Sequence, residues 1–230
     1  MTCRSKAITT HSSIIIIFIS RFPKRRKTNN YISDRVIIQV SKTRGNDLIL
    51  EAYNNNQINF GENRVQELAK KHEDLPKDIK WHMIGHLQTN KVKYIAKFVT
   101  LIHTVDSIKL IDEINKRAKN ENRIIDCLLQ LHIANEEHKF GFKKSEISEI
   151  IDYTKGKNNI RIRGLMGMAT NTKNNQQINK EFQEIKNLYN KIKLPYFDTL
   201  SIGMSSDYQI AIKNEGNMIR VGSAIFGAIH

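Results

Sequence analysis

The sequence has few of the residues on which disulfide-rich or zinc-binding folds depend. It contains two cysteines and three prolines in 230 residues. No group of cysteines and histidines has the spacing of a zinc site. Two cysteines cannot build a disulfide framework, and Cys127 lies in an apolar run that is typical of a buried strand. We therefore predict a protein of a reducing compartment, the cytoplasm.

Long apolar runs and the common phosphate-binding loop motifs are also missing. The apolar run at 14–19 has six residues, which is far too short to cross a bilayer. No G-x-G-x-x-G or G-x-x-x-x-G-K-[ST] motif follows a predicted strand, which argues against a dinucleotide fold and against a P-loop fold. We expect no membrane-spanning segment.

Basic residues outnumber acidic residues, and the formal net charge is +14. A basic balance of this size can indicate a protein that binds nucleic acid or an anionic membrane. Many of the lysines alternate with glutamates and aspartates along helical stretches such as 149–157 and 180–193, however. Such mixed faces are usually solvated surface. We predict no specific nucleic-acid binding and no membrane partner.

Residues 1–33 differ from the rest of the chain. They contain seven basic residues and no acidic one, and they include the apolar run at 14–19. A short helix or strand packed on the domain, with a loose tail, is the main interpretation. An export signal and a membrane-surface anchor are minor alternatives, because the apolar run is short and no small-residue cleavage site follows it. We place a single folded domain at 34–230.

Short runs rich in β-forming residues alternate with stretches of helical periodicity from residue 34 onward. The predicted strands are 36–40, 57–60, 81–84, 101–104, 124–133, 160–166, 199–202 and 218–221. The predicted helices are 46–55, 64–72, 90–97, 108–119, 144–153, 176–191, 207–214 and 225–228. Strict alternation implies a parallel sheet. Eight units in about 200 residues favour an α/β fold of the closed (β/α)8 TIM-barrel type.

Unusual polar residues follow the predicted strands one after another. They are Lys42, 61–63, 85–91, 106–107, His132 with the loop at 135–141, 166–170, 203–207 and 220–223. In a barrel of this type the functional residues collect at the carboxyl ends of the strands. Turn formation or helix capping could explain any one of these positions. Their shared location predicts a functional site.

Lys42 is the residue with the most specific chemical implication. The strand at 36–40 runs directly into Ser41-Lys42-Thr43, so the lysine would stand at the rim of an apolar body, partly withdrawn from water. A lysine amine can form an imine with an aldehyde. The loops at 203–206 and 222–223 offer small residues, hydroxyls and backbone amides, which suit an anion. Barrels often bind phosphate after strands seven and eight.

A phosphate site opposite an imine-forming lysine points to pyridoxal 5'-phosphate. Arg220, at the end of the eighth strand, would then lie near the pyridine ring. A guanidinium beside the ring nitrogen would leave that nitrogen unprotonated and weaken the ring as an electron sink. The alternative is a structural ion pair between Arg220 and Glu215 or another carboxylate.

Seven ordered motifs closely resemble the YggS/PROSC family of pyridoxal phosphate homeostasis proteins. The resemblance runs from about residue 36 to residue 227. The motifs are VSKT at 40–43, FGENRVQE at 60–67, WHMIGHLQTNK at 81–91, IHTVDS at 102–107, RGLM at 163–166, LSIGMSSDY at 200–208 and IRVGSAIFG at 219–227. Three features depart from the family pattern: His132 stands where Asn is usual, Gly167 stands where Thr or Cys is usual, and the family's amino-terminal helix is not recognisable in residues 1–33.

The resemblance implies the barrel of the alanine racemase N-terminal domain, which is fold type III among pyridoxal phosphate proteins. It implies that Lys42 carries the imine and that Arg220 faces the pyridine nitrogen. Asn63 would lie near the cofactor, together with Met204, and the phosphate would be held by Ser205, Gly222 and Ser223.

The family's role is to bind and deliver the cofactor, without an established catalytic activity. Pyridoxal phosphate-dependent apo-enzymes would be the recipients, and we expect a monomer. A racemase needs a base on each face of the substrate carbon, and we expect no C-terminal β-domain to supply one after residue 230. The alternative is a weak racemase or lyase in which Lys42 acts with His86, His132 or Tyr208.

Overall fold

Eight parallel strands close into a barrel in chain order. In this computed structural model residues 35–134, 140–192 and 194–227 are described, so the segment at 1–33 lies outside the described residues. The strands are β1 (Val36–Val40), β2 (Asn59–Glu62), β3 (Lys80–Met83), β4 (Leu101–Val105), β5 (Ile125–Leu131), β6 (Ile160–Gly167), β7 (Thr199–Ser201) and β8 (Met218–Val221). β1 pairs with both β2 and β8, which completes the ring and confirms the predicted (β/α)8 fold.

Helices connect the strands around the outside of the barrel. They are α1 (Asn46–Asn54), α2 (Val65–Asp74), α3 (Ile108–Asn120), α4 (Ile147–Thr154), α5 (Asn175–Lys191), α6 (Tyr208–Lys213) and α7 (Ser223–Phe226). The longer ones present one apolar side to the strands, as α3 does with Leu110, Ile111, Ile114 and Ala118. Ser107 caps α3, because its hydroxyl accepts the amide hydrogen of Leu110.

Several predicted elements differ from the structure in type or bounds. The stretch predicted as a helix at 90–97 is a 3-10 helix, Thr89–Tyr94, in which Val92 is the buried residue. The second strand lies two residues later than predicted, so it includes Gly61 and Glu62. Gly61, which the sequence places after the second strand, lies within it in the barrel wall. A Cβ there would come within 2.7 Å of Ile38 Cγ2 and 2.9 Å of Ile84 Cδ1.

The apolar core has two layers. The larger lies between the strands and the surrounding helices and includes Trp81, Phe182 and Cys127, whose thiol is buried as predicted. The smaller fills the interior of the barrel with Ile38, Ile84, Leu101, Leu128, Met166 and Met218. The interior layer forms the floor beneath the carboxyl ends of the strands.

No helix in the described part of the chain is long and apolar enough to cross a membrane. Among residues 35–134, 140–192 and 194–227, no group of three or more His, Cys, Asp and Glu side chains could hold a metal ion.

Candidate functional site

A cavity of about 610 Å³ opens at the carboxyl ends of the strands. It is lined by residues that end or follow β1, β2, β3, β6, β7 and β8: Val40, Lys42, Arg44, Asn63, Ile84, Met168, Met204, Ser205, Ser206, Arg220, Gly222 and Ser223. All seven residues predicted to bind the cofactor are in this set. Folding thus brings together side chains that are up to 181 positions apart in the sequence, from Lys42 to Ser223.

Lys42 stands in a tight turn whose backbone is held on both sides. The Arg44 amide donates to the Ser41 carbonyl over 3.0 Å, and the Thr43 amide donates to Glu67 Oε1 over 2.6 Å. Thr43 has φ = 60°, a left-handed conformation that a β-branched residue rarely adopts. Such strain persists only where the surroundings enforce it. The expectation that Lys42 is partly withdrawn from water is wrong, because its side chain is exposed.

A buried polar cluster supports this turn from the outer side of the barrel wall. The Ser41 hydroxyl donates to Glu62 Oε1 over 2.5 Å. The Lys71 ammonium donates to Glu62 Oε1 and to the Ser41 carbonyl, each over 2.8 Å, and to Glu67 Oε1 over 3.0 Å. Burial raises the pKa of the Glu62 carboxyl, and the nearby Lys71 charge opposes that rise. The cluster joins α2 to the residues on both sides of Lys42.

Arg220 is buried, and its charged guanidinium donates hydrogen bonds to neutral oxygens. Its Nη1 donates to the carbonyl and to the hydroxyl of Ser201, over 2.8 and 2.6 Å, and its Nη2 donates to the Gly167 carbonyl over 3.0 Å. Burial lowers the pKa of its guanidinium to about 10. The alternative of an ion pair with Glu215 is wrong, because that carboxylate pairs with Lys186 at 3.0 Å.

The departure at Gly167 leaves the Arg220 contact intact. The contact uses the backbone carbonyl, which any residue supplies. A Cβ at position 167 would lie 2.7 Å from Ile133 Cδ1 and 2.9 Å from Ile185 Cδ1. The side-chain direction at this position therefore faces the apolar layer under α5 and not the cavity.

The loops after β7 and β8 are joined to each other beside the cavity. The Gly222 amide donates to the Ser205 hydroxyl over 3.2 Å, and the Met204 amide donates to Asp207 Oδ1 over 2.6 Å. Gly203 has φ = 94°, and a Cβ there would lie 2.5 Å from the Ala211 Cβ, so the sharp turn requires glycine. Small residues, hydroxyls and amides thus meet at one end of the cavity.

None of the three candidate second bases is among the residues that line the cavity. His86 pairs through Nδ1 with Asp106 Oδ2 at 3.0 Å, and its ring stacks on Phe140 with centroids 3.8 Å apart. The main chain of His132 donates to the Phe142 carbonyl. The Tyr208 amide donates to the Met204 carbonyl at the start of α6.

Sequence reasoning missed several residues of the cavity wall. Arg44 adds a second cation, and its Nη2 donates to the Gly227 carbonyl over 2.5 Å. Its position two residues after Lys42 in the same loop was the available signal. Val40 and Ile84, which were also missed, supply apolar walls. Met168 and Ser206 line the cavity as well, and both lie in stretches, 166–170 and 203–207, that the sequence indicated.

The residues present fit pyridoxal phosphate. The volume is within the range of about 300–1,000 Å³ that is usual for small-molecule sites. The wall combines one primary amine, one buried guanidinium and an end rich in hydroxyls and amides. At Gly222 a Cβ would lie 3.1 Å from the Val40 carbonyl oxygen, so the close approach of the two loops favours the absence of a side chain.

Comparisons with known proteins agree with this fold. The family model for the alanine racemase N-terminal domain matches residues 26–230. A pyridoxal phosphate homeostasis protein of Aquifex aeolicus is 37% identical over 195 residues, which are 83% of this chain and 86% of that protein. PipY of Synechococcus elongatus PCC7942, solved without PLP, superposes with a TM-score of 0.86 at 28% identity and covers 95% of this chain and 100% of its own.

PipY has also been solved with PLP bound, and that structure superposes with a TM-score of 0.82 at 28% identity, again over 95% of this chain and 100% of its own. The family match, the identity to the Aquifex protein and the superposition on PipY each cover most of this sequence. The chain belongs to the alanine racemase N-terminal domain family and, within it, to the pyridoxal phosphate homeostasis proteins.

Proposed function

We propose that this protein binds pyridoxal 5'-phosphate in the cavity at the carboxyl ends of the strands, attaches it through an imine with Lys42, and takes part in intracellular homeostasis of the cofactor. The proposal rests on one observation, which is that all seven predicted residues line the same cavity. PipY, which is structurally similar along most of the chain, has been solved with PLP bound.

The proposed roles follow from the chemistry of the cavity wall. Lys42 holds the aldehyde carbon, and Arg220 offers its guanidinium to the pyridine nitrogen. Ser205, Gly222 and Ser223 hold the phosphate, with Arg44 as a nearby positive charge. Asn63 and Met204 line the space between these groups. When bound, the cofactor supplies an aldehyde that amines can reversibly capture.

A carrier role suits the exposure of Lys42. Its exposed amine can exchange a bound aldehyde with amines from solution. His86, His132 and Tyr208 are absent from the described cavity wall, so no second base faces the lysine there. Cofactor delivery to apo-enzymes, the monomeric state and a cytoplasmic location remain predictions.

The test of the proposal is direct chemical trapping on the whole chain. Purified protein incubated with pyridoxal phosphate is expected to develop the absorbance band of a protein imine. Borohydride reduction followed by peptide mapping is expected to place the adduct on Lys42. A colourless protein, or an adduct spread over many surface lysines, would overturn the proposal.

Exchange at the amino-acid α-carbon separates the carrier from an enzyme. The loaded protein should give no more α-hydrogen exchange with deuterium oxide, across a panel of amino acids, than free pyridoxal phosphate does. Exchange that saturates with amino acid and disappears in Lys42→Ala would establish the racemase or lyase alternative.

Ser205→Ala should weaken cofactor binding without removing the imine. A hydrogen bond to a charged group contributes about 1.5–3 kcal/mol, so we expect an affinity loss of about tenfold or more. The wavelength of the imine band should not change, because Lys42 is untouched. Equilibrium titration by absorbance measures both quantities. Ser148→Ala, on the exposed surface of α4, is the matched control and should titrate as the unmodified chain. Equal affinity in the two variants would remove Ser205 from the phosphate site.

A further inference from the structure

A line of hydrogen bonds crosses the interior of the barrel and ends at Arg220. Arg220 Nη1 lies 2.6 Å from the Ser201 hydroxyl, which lies 3.1 Å from His103 Nδ1. His103 Nε2 lies 3.0 Å from His82 Nδ1, and His82 Nε2 lies 3.3 Å from Asn59 Oδ1. β4 and β7 are not neighbours in the barrel wall, so the contact between His103 and Ser201 passes through the interior. We call these five residues the polar column.

The donor and acceptor properties of the side chains fix the direction in which the hydrogen bonds of the polar column run. Arginine can only donate, so the Ser201 hydroxyl accepts from Arg220. At the other end Asn59 Oδ1 can only accept, so the neutral histidines donate from Nε2, and His103 Nδ1 accepts the Ser201 hydroxyl hydrogen. His103 then carries its proton on Nε2 and donates it to His82 Nδ1. His82 in turn donates from Nε2 to the Asn59 oxygen. Every ring nitrogen therefore has a partner when both histidines are neutral with the proton on Nε2.

The surroundings keep both rings neutral. His82 and His103 are buried, and burial lowers the pKa of His82 to about 3, helped by the charge of Lys80. Burial also lowers the pKa of His103, helped by His82 and by the charge of Arg220. Asp207 is the acidic residue that acts on Arg220, and it favours the charged guanidinium. A proton added to either ring would also break the donor sequence of the column.

The same contacts limit the freedom of the guanidinium. Three of its N–H groups are used, two by Ser201 and one by the Gly167 carbonyl. A guanidinium has five N–H donors, so two remain for a ligand in the cavity that Arg220 lines. With its hydrogen donated to His103, the Ser201 hydroxyl keeps its lone pairs directed toward Arg220.

We propose that His103 and His82 are positioning residues for Arg220, which hold its guanidinium at the place where a ligand's lone-pair acceptor would lie. The part of this inference that concerns the pyridine nitrogen rests on the proposed function. The part that concerns the orientation of Arg220 rests only on the polar column. Neither histidine touches the ligand.

Nuclear magnetic resonance of the cofactor-free protein tests the column itself. Long-range proton–nitrogen correlation spectra should show both histidines as neutral Nε2–H tautomers, unchanged between about pH 5.5 and pH 8. A protonated ring in that interval, or the Nδ1–H tautomer at either residue, would overturn the proposal.

Two variants separate positioning from simple stability. His103→Leu removes both hydrogen bonds, whereas His103→Gln keeps one acceptor and one donor. In the cofactor-free protein, hydrogen exchange at Arg220 Nη1, which donates to Ser201, should become at least about tenfold faster in the leucine variant and change much less in the glutamine variant. Equal exchange in the unmodified protein and both variants would overturn the proposal, and so would equal acceleration in both variants.

The loaded protein gives a second, spectroscopic readout. The apparent pKa of the imine band should shift by about one unit in His103→Leu and by much less in His103→Gln. A band that titrates identically in all three proteins would overturn the link to the cofactor. If the unmodified protein formed no band, the proposed function would fail, and the exchange measurement in cofactor-free protein would still decide the positioning role.

Discussion

Lys42→Ala is expected to lose the imine band and the borohydride-trapped adduct completely while the barrel stays folded. The side chain is exposed, and its removal breaks no hydrogen bond or ion pair to another described residue. The turn around it is held by backbone contacts of Ser41, Thr43 and Arg44, and alanine keeps them. The phosphate and ring contacts remain, so weak reversible binding should persist.

Thermal or denaturant unfolding measures the size of the loss. Cofactor at one hundred times its dissociation constant should stabilise the unmodified chain by about 2.7 kcal/mol. If the imine contributes at least tenfold in affinity, the same concentration should stabilise Lys42→Ala by about 1.4 kcal/mol or less.

Two control variants accompany Lys42→Ala. Lys42→Arg keeps the charge but cannot form an imine, so it should also lose the band. Lys155→Ala removes a surface lysine paired with Asp152 and should behave as the unmodified chain. An unchanged trapped adduct in Lys42→Ala would contradict the proposed tether.

The fold could be predicted because its signals are local. Each strand is a short β-forming run, and each helix has an apolar face, so alternation alone indicated eight parallel strands. The errors occurred where a residue's meaning depends on distant neighbours. Gly61 resembles a turn residue until Ile38 and Ile84 are seen to fill the space of its missing side chain. Glu62 resembles a loop residue until it is seen to lie buried against Lys71.

The part of the candidate site that lies at strand ends or in family motifs could be predicted from the sequence. The carboxyl-end rule indicated the loops of Lys42, Ser205 and Ser223, and the structure places them on one cavity. The two histidines of the polar column could not be found in this way, because they belong to strand interiors and the contact that links them to Arg220, between His103 and Ser201, joins the non-adjacent strands β4 and β7. Periodicity reports whether a side chain faces inward, but not which inward side chains meet across a barrel.

Lys71→Met is expected to be the most destabilising of the substitutions considered around the Lys42 turn. Lys71 and Glu62 are both buried, and their salt bridge is 2.8 Å long. Removal of one partner from a buried ion pair leaves an uncompensated charge and typically costs about 3–5 kcal/mol. The loss would also free the Ser41 carbonyl and the Glu67 carboxylate, which together hold the backbone around Lys42. Denaturant unfolding should therefore show a large loss of stability, and the loaded variant a weaker imine band.

A double-mutant cycle identifies the cause of that loss. Glu62→Gln keeps the size of the side chain and removes its charge, so Lys71→Met should cost much less in that background than in the unmodified chain.

The stability of Lys71→Met should depend on pH with a definite sign. Burial raises the pKa of Glu62 in the folded protein, and removal of the Lys71 charge would raise it further. The folded state of Lys71→Met then binds a proton more readily than the unfolded chain, so its stability falls as pH rises above the unfolded pKa of about 4.3. Measured from pH 5 to pH 8, the penalty of Lys71→Met should grow with pH and should be nearly constant in the Glu62→Gln background. Equal penalties in both backgrounds at every pH would instead attribute the loss to packing of the lysine side chain.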